Sequence, residues 1–377
     1  MIPKSGNRFS DQIMRKGIPP FRAEHVGSLL RPMSLLALRR RFANGEVDQA
    51  TLTAAEDNAI ADAIRLQQRV GLRLATDGEF RRASYHSYFY RQLGDIAFAA
   101  PEGAAGTRGA QPIAMINSRI AWKGPIHGAD FAFLQKRVQA TPKITIPGPC
   151  ALHFRGGDAA VTARAYRDVE QFWDDIVAAF QQELASLAAA GCAYVQIDET
   201  AFAKFGDPDV RAMLTARGDD PDALIDKYIA VTNRAIRDVP GLRVGMHLCR
   251  GNRAGQWHAE GSYEAVAETL FNALDIGFFF LEYDSPRAGD FSPLRFVPQD
   301  KSIVLGLVST KTNFLEDKSA LRQRIDEASR FVPLERLAVS PQCGFASTEL
   351  GNPIDATMQE AKLRLVVELA QDTWGTA

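Results

Sequence analysis

The chain has 377 residues, 46% of them hydrophobic and 24% charged, with a formal net charge of −1. Those values fit a soluble globular protein with one large α/β domain or two ordinary ones. They leave no basic excess for a nucleic-acid surface, and no apolar run approaches the roughly 18–20 residues of a membrane span. The N-terminal stretch MIPKSGNRFSDQIMRKG lacks the apolar core of a secretory leader, so a cytoplasmic protein is expected. Cys150, Cys192, Cys249 and Cys343 are too dispersed for a disulfide framework. In a reducing compartment they read as core residues, metal ligands or catalytic groups.

Residues 1–21 read as an N-terminal arm and 22–377 as one catalytic domain. Strand-like runs follow in chain order: RAEHVGSLL (22–30), RLATDGEF (73–80), KITIPGP (143–149), AYVQIDET (193–200), RVGMHLC (243–249), FFFLEYD (278–284), SIVLGLVST (302–310) and LAVSPQCGF (337–345). Their apolarity is continuous rather than alternating, as in parallel strands covered on both faces. Between them lie helix-length segments with helical apolar spacing, at 166–191, 261–277 (with Ser262 as N-cap), 317–331 and 355–374. Eight strands with helical crossovers predict a (β/α)8 TIM barrel. A doubly wound sheet is disfavoured because no G-x-G-x-x-G follows the first strand. The Gly/Ala-rich stretch at about 97–130 breaks the rhythm and reads as a loop and hairpin inserted between the second and third strands.

Barrel chemistry sits at strand C-termini, and polar residues recur there. Strand one ends near His25, Gly27 and Ser28; strand two at Asp77 and Glu79; strand four at Asp198 and Glu199; strand five at His247 and Cys249. Strand six ends at Glu282 and Asp284, strand seven at Thr310 and Lys311, and strand eight near Cys343. His247 and Cys249 are two apart, so a strand aims both the same way. With Glu282 and Cys343 they form a set of N, S and O donors that suits Zn2+. Singly, a lone cysteine or histidine is more often core than ligand; four together at strand ends point to a metal. Cys150 and Cys192 read as packing residues. His25, His86, Trp257, His258, Arg287 and Arg295 stand as weaker candidates for the pocket wall.

The motifs HVGSLLRP, TDGEF, VQIDE, GMHLCRGN, FLEYD and SPQCGF resemble cobalamin-independent methionine synthase, specifically its catalytic C-terminal barrel, from about Arg22 to Trp374. The resemblance implies a zinc-dependent methyltransferase that moves a methyl group to the thiol of homocysteine, with a 5-methyltetrahydrofolate polyglutamate as donor. It implies zinc ligands at His247, Cys249, Glu282 and Cys343. It places the homocysteine carboxylate on the Val26, Gly27 and Ser28 turn, and the amine on Glu79 and Asp198. Where the family stacks a tryptophan on the pterin, GPCALHFRGG offers His153 and Phe154. Where the family has an acid–base histidine, GLVSTKTNFLE offers Lys311, with Asp284 as the other candidate for the proton the departing group needs. The chain is too short for the second barrel of the large family members. A methylcorrinoid donor, another thiol acceptor, a uroporphyrinogen-decarboxylase-like lyase and a non-catalytic zinc-stabilised barrel are the competing readings. The expected partners are small molecules, with no nucleic acid and no membrane; a homo-oligomer is allowed.

Overall fold

The computed structural model describes residues 19–99, 112–237 and 239–377. The strands are β1 (Leu74–Ala75), β2 (Ile96–Ala99), β3 (Ile113–Ile116), β4 (Thr141–Pro142), β5 (Ile144–Pro147), β6 (Tyr194–Glu199), β7 (Arg243–Leu248), β8 (Phe278–Glu282), β9 (Ser302–Val308) and β10 (Leu337–Pro341). β5 to β10 form a six-stranded parallel sheet in sequential order. At one edge β4, which runs on into β5, pairs in parallel with β1. At the other edge Ala23 makes a single parallel bridge to Val339 of β10.

The fold is thus α/β with a parallel sheet. Among the described residues the ladder does not run on from the Ala23 segment to β1, so ring closure by backbone hydrogen bonds stops short there. The first two predicted strands shrink to a bridge and a two-residue strand. Their C-terminal halves turn away to build the site: Leu29 N donates to Gly78 O (3.1 Å), and Thr76 Oγ1 to Gly27 O (2.7 Å). β2 and β3 form a separate antiparallel pair. The connecting stretch 100–111 and the proposed arm up to residue 18 lie outside the described residues.

Helices cover the outer face, and several of the longer ones start with the same chemistry. Gln49–Arg69, Val169–Ala189, Pro221–Ile236, Lys318–Ala328 and Ala356–Trp374 are each preceded by an aspartate whose carboxylate accepts a first-turn N–H. The helix expected from Ser262 starts instead at Glu264. Ser262 Oγ still accepts from Glu264 N, at 3.2 Å, one residue before the N-cap position taken by Tyr263.

Strand alternation separates two cores. Val195 and Ile197 of β6 face the helices and belong to the main cluster. The opposite face of the sheet holds a small apolar layer of Phe21, Leu74, Tyr194, Phe278, Phe280, Val304 and Ala338. Tyr194 and Phe278 rings pack at 5.6 Å. Successive same-face positions along the strands then change character, from Tyr194 to Gln196 to Asp198 on β6 and from Phe278 to Phe280 to Glu282 on β8. That change sets an apolar floor beneath a polar site.

A buried carboxylate ties the segment after β3 to the helical layer. Glu183 accepts from Trp122 Nε1 (2.8 Å), Ile126 N (2.9 Å) and His127 N (2.9 Å). Glu183→Ala strands three donors, two of them buried and the third partly so, and is expected to lower unfolding free energy by about 3 kcal/mol in urea denaturation; a loss under about 1 kcal/mol contradicts this role.

Candidate metal and substrate site

His247, Cys249, Glu282 and Cys343 meet at one point. Their ligand atoms all lie within 4.8 Å of one another, and all four side chains are buried. β7 supplies His247, and Cys249 follows its end. β8 ends on Glu282. A register shift in β10 at Ser340/Pro341 precedes Cys343, the kind of irregularity that re-aims side chains near active sites. Cys249 and Cys343 are free thiols with sulfurs 3.6 Å apart. A disulfide would place them near 2.05 Å, whereas two thiolates on one tetrahedral zinc lie about 3.8 Å apart. Neither ring nitrogen of His247 has a hydrogen-bond partner, although the ring is buried. Orphaned imidazole nitrogens beside two sulfurs and a carboxylate fit a metal ion, and the donor set matches zinc.

The surroundings hold Glu282 and Cys343 anionic, while the Cys343 hydrogen bond and burial push the Cys249 thiol well up. Burial pushes the Glu282 carboxyl up, but the charges of Lys311, Arg287 and His247 outweigh it and hold the group at about 2. Glu282 Oε1 accepts from Arg250 N (2.9 Å) and Oε2 from an Arg287 N–H (3.0 Å). The Cys249 hydrogen bond, opposed by burial and reinforced by His247, drives the Cys343 thiol well below the usual thiol range. Gly251 N donates to Cys249 Sγ at 3.2 Å.

Three members of this set, His247, Cys249 and Cys343, line a cavity of about 370 Å³, and Val26, Ser28, Glu79 and Asp198 line it with them. The turn carrying Ser28 depends on glycine. At Gly27, φ is +135° and a Cβ would sit 2.6 Å from Thr145 Cγ2. At Gly344, opposite, a Cβ would lie 2.0 Å from Ser28 Oγ. Glu79 itself is strained: it is a non-glycine residue at φ 61°. One of its oxygens, Oε1, accepts from Thr145 Oγ1 at 2.9 Å, while Oε2 is buried without a partner. Burial, with the nearby Glu79 charge, pushes Asp198 up to about 7. Two carboxylates close to a serine turn make an environment for a group bearing both an amine and a carboxylate.

Arg91, Arg155 and Arg253 form a second, cationic group on the cavity wall, interleaved with Tyr85, His86, Phe98 and His258. Their charges act on the two imidazoles beside them. Burial, then Arg155, Arg91 and Lys204 in that order, holds His86 well below the usual imidazole range. His258 is lowered to about 3, by burial first and by Lys204, Arg155, Lys311 and Arg253 after it.

Several sequence expectations land elsewhere. His153 and Phe154 do not line the cavity. The His153 ring is buried against Trp173, with Nδ1 2.7 Å from Tyr228 OH and Nε2 2.7 Å from Asp158 Oδ1. The short helix Ala151–Phe154 turns both side chains into the helical layer, and the next residue, Arg155, reaches the cavity instead. Asp284 and Lys311 also lie off the cavity wall. Asp284 is held by Arg287 (2.9 Å) and by the Ser309 hydroxyl (2.8 Å). Lys311 Nζ is 3.5 Å from Gly251 O. Of the weaker candidates, His86 and His258 line the cavity. Trp257 lies under the Arg287 guanidinium at 5.1 Å, Arg295 pairs with Glu264, and the Cys150 thiol faces Tyr228 O.

The strain at Glu79 is measurable apart from its charge. Glu79→Ala and Glu79→Gly both lose the carboxylate, but only glycine tolerates the positive φ. Glu79→Gly is therefore expected to be more stable than Glu79→Ala by about 1 kcal/mol in thermal unfolding; equal stabilities contradict the strain.

Comparison with known proteins bears on the whole domain. Residues 22–372 match the family model described as Cobalamin-independent synthase, Catalytic domain. The chain is 41% identical over 363 residues to uncharacterized protein YxjG of Bacillus subtilis, covering 94% of this chain and 95% of the relative. It is 24% identical over 340 residues to the methionine synthase of Pyrococcus horikoshii, covering 88% and 90%. A solved Listeria monocytogenes structure, provisionally named a vitamin-B12 independent methionine synthase, is 35% identical with a TM-score of 0.73, over 95% of this chain and 99% of that one. With the model spanning nearly the whole chain and a relative above two-fifths identity, the protein belongs to the cobalamin-independent methionine synthase catalytic-domain family.

Proposed function

We propose that the protein is a zinc-dependent methyltransferase that transfers a methyl group to the thiol of homocysteine, in a single (β/α)8 catalytic barrel from residue 22 onward with an insertion at about 97–130. The observation that carries this reading is the convergence of His247, Cys249, Glu282 and Cys343 within 4.8 Å, three of them on the cavity that also holds Ser28, Glu79 and Asp198. These four side chains would hold the metal. Zinc, when bound, keeps an incoming thiol in its thiolate form at neutral pH.

The protein's own residues do the rest. The Val26–Gly27–Ser28 turn receives the substrate carboxylate, and Glu79 and Asp198 receive its ammonium group. Orientation of the sulfur toward the donor methyl supplies the proximity contribution. Lys311 and Arg287 stand behind Glu282 and offset the negative charge of two thiolates and a carboxylate. On this reading Lys311 and Asp284 act electrostatically rather than as groups touching the departing donor.

Among donors, the arginines on the cavity wall favour one with acidic groups, and Tyr85, His86 and Phe98 give it an aromatic surface. A 5-methyltetrahydrofolate polyglutamate has both features. Methylcobalamin is the second reading, and another thiol acceptor keeps the same metal chemistry. A decarboxylating lyase has no use for paired thiols beside a carboxylate.

Two measurements test this. Purified protein is expected to carry about one zinc per chain, lost in Cys249→Ser and Cys343→Ser; full activity without zinc contradicts the reading. Offered homocysteine, the enzyme is expected to form methionine faster from methyl-folate triglutamate than from the monoglutamate, and Arg155→Met is expected to erase about tenfold of that preference. Methionine from methylcobalamin alone moves the assignment to the corrinoid donor, and methionine from none of the three rejects homocysteine as acceptor.

A further inference from the structure

Beneath the cavity, on the inner face of the sheet, lies a buried polar layer whose side chains Gln196, Lys143 and Glu24 do not line the cavity themselves but bond to residues that do. Its centre is Gln196 of β6. The Gln196 Nε2 group donates to two acceptors at once, Val26 O at 2.6 Å and Asp198 Oδ1 at 2.6 Å. Its Oε1 accepts from Lys143 Nζ at 3.0 Å. Lys143 in turn donates to Glu24 Oε2 at 3.1 Å and to His25 O, and Tyr194 OH donates to Glu24 Oε1 at 2.8 Å. Gln196, Lys143 and Glu24 have no exposed surface.

The chemistry of this layer admits one arrangement. An ammonium group only donates, so the amide oxygen of Gln196 must face Lys143. The amide NH2 must then face Val26 O and Asp198, both acceptors. Lys143 is fixed by its own ion pair and sits between the Tyr194 and Phe280 rings, 5.3 and 5.0 Å from their centres. A buried ion pair is weak evidence for stability, and retaining one is better explained where it specifies a geometry.

We infer that Gln196 is a positioning residue for amino-acid recognition, one NH2 group holding the turn that takes the substrate carboxylate in register with the Asp198 side chain that takes its amine. The inference rests on the reading of Val26–Ser28 and Asp198 as the two arms of that subsite. The two arms come from different segments, the turn after the Ala23 bridge and β6; among the described residues no other hydrogen bond joins them directly, and the shared nitrogen keeps them from drifting apart. Lys143 and Glu24 act one step further back by preventing the amide from flipping.

The test compares homocysteine with 4-mercaptobutyrate, the same thiol acid without the amine, in wild type, Gln196→Met, and the double variant Lys143→Met/Glu24→Gln. The double variant removes both buried charges together, so neither is left unpaired if Gln196→Met fails to fold. Wild type is expected to prefer homocysteine, and each variant is expected to lose about tenfold of that preference through a raised homocysteine KM, with kcat changed less than about threefold. Zinc content and the KM for the methyl donor stay at the wild-type values. A merely structural role would lower the melting temperature and leave the preference intact; that outcome overturns the inference while the proposed function stands. A wild-type enzyme that uses homocysteine no better than 4-mercaptobutyrate overturns the amino-acid subsite and this inference with it.

Discussion

Two thiols, an imidazole and a carboxylate are forced together at the buried end of the cavity. Left alone, such a collection is unfavourable: the carboxylate and any thiolate repel each other, and burial penalises every charge. The structure answers with cations on the far side. Arg287 bonds to Glu282, Lys311 acts on Glu282 and both cysteines, and backbone N–H groups from Arg250 and Gly251 point at an oxygen and a sulfur. The charge that survives is compensated enough to fold, and the donor set fits a divalent cation.

The parallel sheet makes this convergence possible. Same-face positions along adjacent strands rise through layers: apolar at Tyr194, Phe278 and Phe280, then polar at Gln196 and Lys143, then the carboxylates and imidazole of Asp198, His247 and Glu282. Each layer supports the one above. The rings brace Lys143, Lys143 orients Gln196, and Gln196 holds Asp198 and the Val26 carbonyl. Strain is concentrated at the top, where Glu79 occupies a backbone region that favours glycine and the tight contacts at Gly27 and Gly344 leave no room for a Cβ. A rigid base with a strained rim is what a pre-organised binding site requires.

Much of this could be read from the chain itself. The four metal-site residues stand at strand ends, where period-two alternation puts His247 and Cys249 on one face without knowledge of the fold. Six of the eight strands appear as parallel partners in order. What stayed hidden depends on local turns. Residues 22–30 and 73–80 look like full strands because they are apolar, yet their C-terminal halves leave the sheet to form the rim, and apolarity does not distinguish a strand from a buried turn. His153 and Phe154 follow a Gly-Pro motif but enter a four-residue helix, which rotates them into the core and delivers Arg155 to the cavity. Asp284 sits two residues after Glu282, a spacing that promises the same face only while the strand continues, and β8 ends at Glu282. Arg91 and Arg253 carry no signal in a single sequence, since surface arginines are common and their convergence is a property of the tertiary fold.

The proposed function rests on one metal ion held by two sulfurs, one imidazole nitrogen and one carboxylate oxygen. X-ray absorption at the zinc edge of the purified protein reads that shell directly. It is expected to show two sulfur scatterers near 2.3 Å and two nitrogen or oxygen scatterers near 2.0–2.1 Å. A shell without sulfur, or with four sulfurs, contradicts the site.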